Sequence, residues 1–410
     1  MRGVACAMPL FRHPVLVALL LLLPSELARA QTGAPDSAPA VPQRDLMDLF
    51  AKVLGREPKV VVDSHPPLVL SVLPAFSVNP AYGVLFGVAT TALVRLGPPP
   101  ETSASTAGVT VSYTTKQQFN VVARANIFGP RNKFLLQGDW RYQDTSQPTY
   151  GLGPALPEEL EDNLEYQIIR LYQTVYKPVS GQLMAGIGYH YSDYFDIVDP
   201  LAEQGLPSPV VDYNDGEVVT RMVSSGVSLN MVFDNRDSPI YATRGYYAQG
   251  SFRTFPTWLG SDTDWQSFQT DFRTYAPTRL PGRGVFAVWA TTWFTFGRPP
   301  YLELPAIGWD TYQRSGRGYP QGRVRGENQI YLEGEYRMTL SRDGFWGAAA
   351  FVNLLSTSDQ TSRAFEKVNP GVGLGLRIKL NKRSTTNITL DYAVGAEGAN
   401  GLFLGTGEAF

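Results

Sequence analysis

The fold is decided by an alternation that is clearest in the segment Val372-Gly373-Leu374-Gly375-Leu376-Arg377-Ile378-Lys379-Leu380. Every second residue is large and apolar, and the residues between them are glycine, arginine or lysine. Because successive side chains of a strand point to opposite faces, one face of this segment is apolar and the other is small or charged. A charged strand face suits the polar lumen of a barrel whose outer face contacts lipid. The segment therefore predicts a transmembrane β-strand.

The same period of two recurs from about residue 68 to the end of the chain. We count about sixteen such segments, an even number as in bacterial single-chain barrels. Long loops are expected near residues 145–164, 195–218 and 297–327, and the last strand is expected over residues 400–410. The pattern predicts an all-β antiparallel transmembrane barrel over residues 68–410, located in the bacterial outer membrane.

The bulk composition agrees with a barrel and disfavours nucleic-acid partners. Of 410 residues, 43% are hydrophobic and only 18% are charged, and the formal net charge is -2. Nucleic-acid binding would need a basic stripe, which this balance of charge does not indicate. The acidic and basic side chains are instead expected to pair with one another inside a lumen.

The first 67 residues predict an export signal and a leader. Residues 1–30 combine two arginines, an apolar run over residues 15–23 and the small-residue site Ala28-Arg29-Ala30, as secretory signal peptides do. An uncleaved anchor is the alternative. The sole cysteine, Cys6, lies in this segment, so the mature chain would carry no thiol. Residues 31–67 predict a flexible leader with a short amphipathic helix over residues 43–55. We expect this helix to dock at the periplasmic mouth of the barrel; the inner leaflet of the outer membrane and a disordered leader are the alternatives.

One loop combines arginines and glycines in an unusual way. The segment RSGRGYPQGRVRG, residues 314–326, places four arginines among glycines that permit tight turns. Guanidinium groups need acceptors, and the next strand carries Glu333 and Glu335 on its polar face. The loop either folds into the lumen, with Arg317 at its tip paired to Glu335, or it is a solvated basic loop.

This loop resembles the sixth-loop signature of the BamA and TamA superfamily of bacterial surface-antigen barrels. The resemblance covers nearly all of residues 68–410 and includes an early loop at residues 150–153 and a central periplasmic turn at residues 233–245. The matching residues are Arg317, Gly318, Tyr319, Arg323, Arg325 and Glu335 in the loop and its acidic strand, Asp234, Arg236, Asp237 and Gly245 in the turn, and the terminal aromatic Phe410 as an assembly signal.

Two departures from the family pattern carry expectations of their own. Residues 31–67 are too few for even one periplasmic POTRA domain, so the barrel is expected to lack these domains. The strand after the acidic strand reads Phe351-Val352-Asn353, with an amide where the family tends to have aspartate. We therefore expect Phe351 and Tyr319 to pack near Arg317, Asn353 to supply only a neutral hydrogen bond to it, and Asn353→Asp to strengthen the attachment.

The resemblance implies a barrel that inserts, translocates or anchors protein or lipid at the outer membrane, without cofactor or metal. The implied partners are outer-membrane lipid, the barrel assembly machinery during biogenesis, and an unidentified protein client or periplasmic partner. A passive pore and a barrel-borne hydrolase remain alternatives. The hydrolase would need a serine beside His190, since a Ser-His-Asp site requires a histidine and the mature chain would retain only His65 and His190.

Overall fold

The computed structural model describes residues 43–53, 55, 68–79, 82–98, 101–154, 161–239, 241–278, 284–310, 313–360, 362–381 and 386–410. The predicted signal peptide with Cys6, most of the leader and His65 lie outside the described residues. Among the helices of the described part, none is long and apolar enough to cross a membrane.

The described chain forms a closed antiparallel barrel in which each strand pairs with its neighbours in sequence and β1 pairs with β16. The prediction of a sixteen-stranded all-β barrel is confirmed. The strands are β1 Leu68–Asn79, β2 Gly83–Val94, β3 Ser105–Thr114, β4 Phe119–Phe128, β5 Leu135–Thr149, β6 Asp162–Ser180, β7 Leu183–Val198, β8 Met222–Asp234, β9 Gly245–Phe255, β10 Trp265–Thr278, β11 Gly284–Gly297, β12 Asn328–Thr339, β13 Trp346–Thr357, β14 Asn369–Asn381, β15 Thr386–Gly395 and β16 Asn400–Thr406.

The alternation in β14 has the expected direction. Leu374 and Leu376 are 69% and 36% exposed on the outside, whereas Arg377 is buried inside the barrel. Gly373 is required on the inner face, because a Cβ there would lie 2.3 Å from the ring of Phe351. The outer face therefore offers apolar side chains to lipid, and the inner face leaves room for aromatic and charged groups.

Two strand boundaries differ from the sequence-based expectations. The hairpin of β5 and β6 is longer than expected, since residues 145–149 pair with residues 162–166 instead of belonging to the loop. The segment is polar, and its Gln147 accepts a hydrogen bond from Tyr166 at 3.0 Å, which gives its side chain a lumenal partner. At the other end of the chain, β16 stops at Thr406 rather than Phe410.

The amphipathic segment forms helix α1, Leu46–Val53. Asp45 and Asp48 cap its start, since the Asp48 amide donates to Asp45 Oδ1 at 2.8 Å and the Asp45 amide donates to Asp48 Oδ2 at 3.3 Å. The Arg44 amide donates to the carbonyl of Asp343, in the turn between β12 and β13. The helix start therefore lies at the barrel end that carries this short turn. Two further short helices, α2 Pro200–Glu203 and α3 Pro209–Tyr213, lie in the loop between β7 and β8.

The outward position of Leu376 generates a prediction about the membrane. Leu376→Lys is expected to lower the free energy of unfolding in lipid vesicles by about 2–4 kcal/mol, because an ammonium group would enter the hydrocarbon. Thr110→Lys is the control, since Thr110 borders the smaller lumenal cavity, of about 180 Å³, where a lysine can meet water. Equal losses for the two variants, measured by equilibrium denaturation in guanidinium chloride, would contradict the assignment of faces.

Candidate functional site

The loop between β11 and β12, residues 298–327, enters the barrel, and we name it the lumenal loop. Its first half contains a 3-10 turn at Tyr301–Glu303 and is almost wholly buried. These residues pack against apolar side chains of β6, β7 and β8, so the loop is anchored by a small core of its own. The residues of this core are Leu164, Tyr166, Ile168, Tyr194, Ile197, Val210, Met222, Tyr301, Leu302 and Leu304.

Arg317 lies at the tip of the second half of the lumenal loop and is 4% exposed. Its guanidinium donates to Glu335 at 2.6 Å, to Asp391 at 2.6 Å, and to Glu333. The guanidinium carbon also lies 3.4 Å from the centre of the Phe351 ring. A buried cation is stable only when carboxylates replace its hydration, and here three of them do so. We name Arg317, Glu333, Glu335 and Asp391 the Arg317 cluster.

Further ion pairs extend the Arg317 cluster toward the C-terminus. Arg337 donates to Glu335 at 2.5 Å, and Arg377 donates to Asp391 and, at 2.8 Å, to Glu408. The extended network thus holds three guanidiniums and four carboxylates. Because the carboxylates outnumber the guanidiniums by one, neutral donors also stabilise them. The Tyr331 hydroxyl donates to Glu333, and the Asn387 amide donates to Glu408 at 2.6 Å.

The glycines of the loop tip allow its close approach to the barrel wall. Gly316 and Gly318 have φ of 74° and 108°, a region that strongly favours glycine. A Cβ on Gly318 would lie 3.0 Å from the backbone oxygen of Val394 in β15. The backbone of the tip therefore rests against β15, which brings Arg317 within reach of Asp391.

Asn353 supplies a neutral hydrogen bond to Arg317 as expected, but to the backbone of Arg317 rather than to its guanidinium. Its amide nitrogen donates to the backbone carbonyl of Arg317 at 2.9 Å, and it does not contact the guanidinium. Asp391 of β15 supplies the third carboxylate, a residue that the loop signature does not include. The alternation around Asp391 places it on the polar face, but no local pattern places β15 opposite residue 317.

The other residues of the loop signature contact the barrel separately. The Tyr319 hydroxyl donates to the carbonyl of Pro370 at 2.5 Å and accepts from the Ala396 amide at 2.8 Å. The Arg323 guanidinium lies 4.2 Å from the ring centre of Tyr150, in the early loop. Arg325 donates to the carbonyl of Tyr301 at 2.9 Å and so joins the two halves of the lumenal loop.

The turn between β8 and β9, which the sequence predicts to face the periplasm, is separate from the Arg317 cluster. Asp234 accepts from Arg236 at 2.8 Å, and Gly245, at φ 102°, has no room for a Cβ beside the Asn235 carbonyl. Burial alone raises the pKa of the Asp237 carboxyl, but donors from Thr243 and the next amide hold that pKa below its ordinary value. These contacts order the turn between β8 and β9.

Phe410 lies inside the barrel and not on a strand. It is buried, its ring is 5.4 Å from that of Trp289, and its carbonyl accepts from Arg337 at 2.9 Å. The position of Phe410 follows from the early end of β16, because the chain then turns inward.

His190 of β7 does have a serine beside it. Its Nε2 lies 2.7 Å from Ser228 Oγ, whereas Nδ1 has no hydrogen-bond partner among the described residues. A Ser-His-Asp site needs a carboxylate on that second nitrogen. Asp193 instead pairs with Arg221 at 2.8 Å, so the arrangement lacks the third member of such a site.

The Arg317 cluster generates a prediction about stability. Arg317→Ala is expected to lower the free energy of unfolding by up to about 3–5 kcal/mol, a cost that lumenal water reduces. The variant leaves Glu333 without a guanidinium partner, and Glu335 and Asp391 keep only Arg337 and Arg377. Glu335→Ala should also destabilise the barrel, and the double variant should cost less than the sum of the two. The measurements are thermal unfolding and protease cleavage of the loop in detergent.

The control is the exposed pair of Arg131 and Glu101, whose alanine variants should change stability little. Additive losses from Arg317→Ala and Glu335→Ala would contradict the pairing of these two residues.

The position of Asn353 generates a second prediction, opposite to the sequence-based one. Asn353→Asp is expected to lower thermal stability and loop protection, because a carboxylate would replace a donor and face the carbonyl oxygen of Arg317. Asn353→Ala, which removes the hydrogen bond without adding charge, should lose less. A gain in stability with aspartate would show that the side chain turns toward the guanidinium.

Comparison with known proteins gives structural matches only. No family model matches the chain, and no curated protein is significantly similar to it in sequence. BamA from Haemophilus ducreyi lacking POTRA domains 1-3 matches with a TM-score of 0.56 and 14% identity, over 82% of this chain and 69% of that one. CdiB from Acinetobacter baumannii matches with a TM-score of 0.51 and 13% identity, over 83% of this chain and 60% of that one. CdiB from Escherichia coli matches with a TM-score of 0.53 and 10% identity, over 84% of this chain and 64% of that one.

The chain therefore spans less than two thirds of the two CdiB structures, and the likeness concerns the barrel. With its sixteen strands, apolar outer face and inward loop, this protein has the outer-membrane barrel fold of BamA and CdiB.

Proposed function

We propose that this outer-membrane barrel inserts or translocates protein or lipid substrates, and that it does so through the seam between β1 and β16. The observation that carries the proposal is the shortness of this seam. Among the described residues, β1 and β16 pair at one position, Val78 with Leu404. By contrast, β1 pairs with β2 along all of Leu68–Asn79. Most of the free edge of β1 therefore has no partner strand among the described residues.

A short seam has a clear consequence in a membrane. Unpaired backbone groups are costly in hydrocarbon, because no water is present to replace the missing hydrogen bonds. An extended segment of a substrate can satisfy such an edge by adding a strand to it. The seam is therefore the part of the barrel that opens at the lowest cost and the part that offers pairing groups to a substrate.

Side chains supplement the weak backbone pairing of the seam. Ser77 of β1 donates to the Leu404 carbonyl at 2.6 Å. Arg314 of the lumenal loop donates to the carbonyls of Thr406 at 2.8 Å and Glu408. Because Arg314 lies three residues before Arg317, movement of the lumenal loop would also release β16. The proposal thus includes a loop that controls the seam.

The filling of the lumen by the loop supports a gated barrel rather than a passive pore. The lumenal loop occupies much of the interior and leaves cavities of about 250 Å³ and 180 Å³ among the described residues. The loop-signature resemblance also implies insertion, translocation or anchoring rather than diffusion. In this proposal outer-membrane lipid surrounds the barrel, and the substrate is an unfolded protein client.

A crosslink across the seam tests the proposal. In a Cys6→Ala background, Val78→Cys with Leu404→Cys is oxidised in vesicles, and the folding rate of an unfolded β-barrel client is measured. We expect wild type to accelerate client folding and the oxidised seam pair to reduce the rate to that of empty vesicles, with recovery after reduction.

The matched control is Phe76→Cys with Phe86→Cys, a directly opposed pair between β1 and β2. Its crosslink should leave the acceleration unchanged, because β1 and β2 are already fully paired. Full activity of the oxidised seam pair would refute a role for the seam. Steady conductance of the crosslinked barrel in planar bilayers, without any effect on client folding, would favour the passive pore.

A further inference from the structure

The larger of the two lumenal cavities described above is rich in arginine. Its volume is about 250 Å³ and its wall belongs mainly to strands β4–β11. The charged residues of its lining are Arg124, Arg141, Arg170, Arg253, Arg273, Asp139, Asp271, Glu303 and Asp310. Arginines therefore exceed carboxylates in this wall.

Two of these arginines follow a simple pairing rule. Asp139 pairs with Arg141 and Asp271 pairs with Arg273, each at 2.6 Å, and Arg124 shares Asp139 at 3.4 Å. In the two closer pairs the aspartate lies two residues before the arginine on one strand, so both side chains point into the lumen. Each guanidinium thus receives a carboxylate from its own strand face.

Arg253 breaks this rule, because the residue two positions earlier is Ser251. The Ser251 hydroxyl accepts from Arg253 Nε at 3.3 Å, and no carboxylate lies within 4 Å of this guanidinium among the described residues. Arg170 likewise has no carboxylate within 4 Å among the described residues. It is 8% exposed, donates to the Tyr194 hydroxyl at 2.9 Å, and its Nε has no partner in the described part of the chain.

The two arginines without carboxylate partners both lie close to the ring of Tyr172. Their guanidinium carbons lie 5.0 Å (Arg170) and 5.4 Å (Arg253) from the ring centre of Tyr172. The ring of His190 lies 4.6 Å from the same centre, is 3% exposed, and keeps an unpartnered Nδ1. The nearby loop carboxylate Glu303 is engaged by the Ser192 hydroxyl at 2.5 Å.

We propose that this cavity binds a phosphate-type oxyanion between Arg170 and Arg253. Arg170 is buried and Arg253 is half-buried, and neither has a carboxylate within 4 Å among the described residues. The nearby Glu303 can balance only one of their two positive charges, and guanidinium groups match phosphate oxygens with paired hydrogen bonds. A phosphate group fits the cavity. The anion is either free phosphate or the phosphomonoester headgroup of a lipid, which share this chemistry. The site does not depend on the proposed role of the seam.

Ser251→Asp is the decisive variant, because it gives Arg253 the strand partner that Arg141 and Arg273 have. The full chain is unfolded thermally in detergent, in sodium phosphate and in sodium chloride of equal ionic strength. We expect phosphate to raise the Tm of wild type saturably, as a ligand specific for the folded state does. Ser251→Asp should have a higher Tm than wild type in chloride and should lose the phosphate response.

Arg253→Gln provides a second variant that also should lose the phosphate response, in case the new aspartate disturbs folding. Arg131→Gln is the matched control, since Arg131 is an exposed arginine away from the cavity, and it should respond like wild type. A wild-type protein that responds neither to inorganic phosphate nor to phosphatidic acid would overturn the proposal, and so would a phosphate response in Ser251→Asp and Arg253→Gln equal to that of wild type.

A vesicle measurement then distinguishes the two sources of the anion. The protein is unfolded in phosphate-free vesicles with and without phosphatidic acid. Stabilisation by phosphatidic acid that Ser251→Asp removes would support the site with a lipid headgroup as its ligand. Stabilisation by inorganic phosphate alone would support the site with the free ion. Failure of both probes would refute the site while leaving the seam proposal to its own crosslinking test.

Discussion

The buried guanidinium of Arg317 is the interaction on which the interior of this barrel depends. A cation removed from water is stable only when nearby carboxylates replace its hydration. Arg317 obtains Glu333 and Glu335 from β12 and Asp391 from β15. Those strands surround the loop tip only in the closed barrel, so barrel closure and loop insertion stabilise each other. The two small cavities of the lumen follow from the inserted loop.

The same loop connects the interior to the weakest part of the wall. Arg314 donates hydrogen bonds to the carbonyls of Thr406 and Glu408 from inside the barrel. These carbonyls lie next to a seam that has a single residue pair among the described residues. The Arg317 cluster therefore fixes the position of the group that supports β16. A barrel built in this way can keep a short seam closed at rest, because the loop contributes contacts that the backbone does not.

Charge pairing differs between the two sides of the lumen for a reason visible in the strands. On the side of β12–β15, arginines and carboxylates form one continuous network in which each guanidinium has at least one acidic partner. On the side of β4–β11, Arg141 and Arg273 have an aspartate two residues earlier, but Arg253 has Ser251. Serine thus stands where the other two strands have aspartate, and the neighbouring Arg170 has no carboxylate partner among the described residues either. The positive charge that remains is the one that a bound anion would balance.

The sequence alone determined the barrel, its approximate strand number and the two faces of each strand. The direction of a side chain in a strand is local, so the alternation in residues 372–380 identified Leu376 as outward and Arg377 as inward. The sequence also predicted that the Arg-Gly-Tyr triplet, Glu335 and Phe351 lie together at one site. The inward turn of Phe410 and the amide-to-carbonyl contact of Asn353 were not predictable, and neither was the pairing of Arg317 with Asp391. These depend on which strands face each other after closure, across 74 residues of chain in the case of Asp391. Only the tertiary structure decides that, because strand stagger and loop path are set by the packing of the whole barrel rather than by any local period.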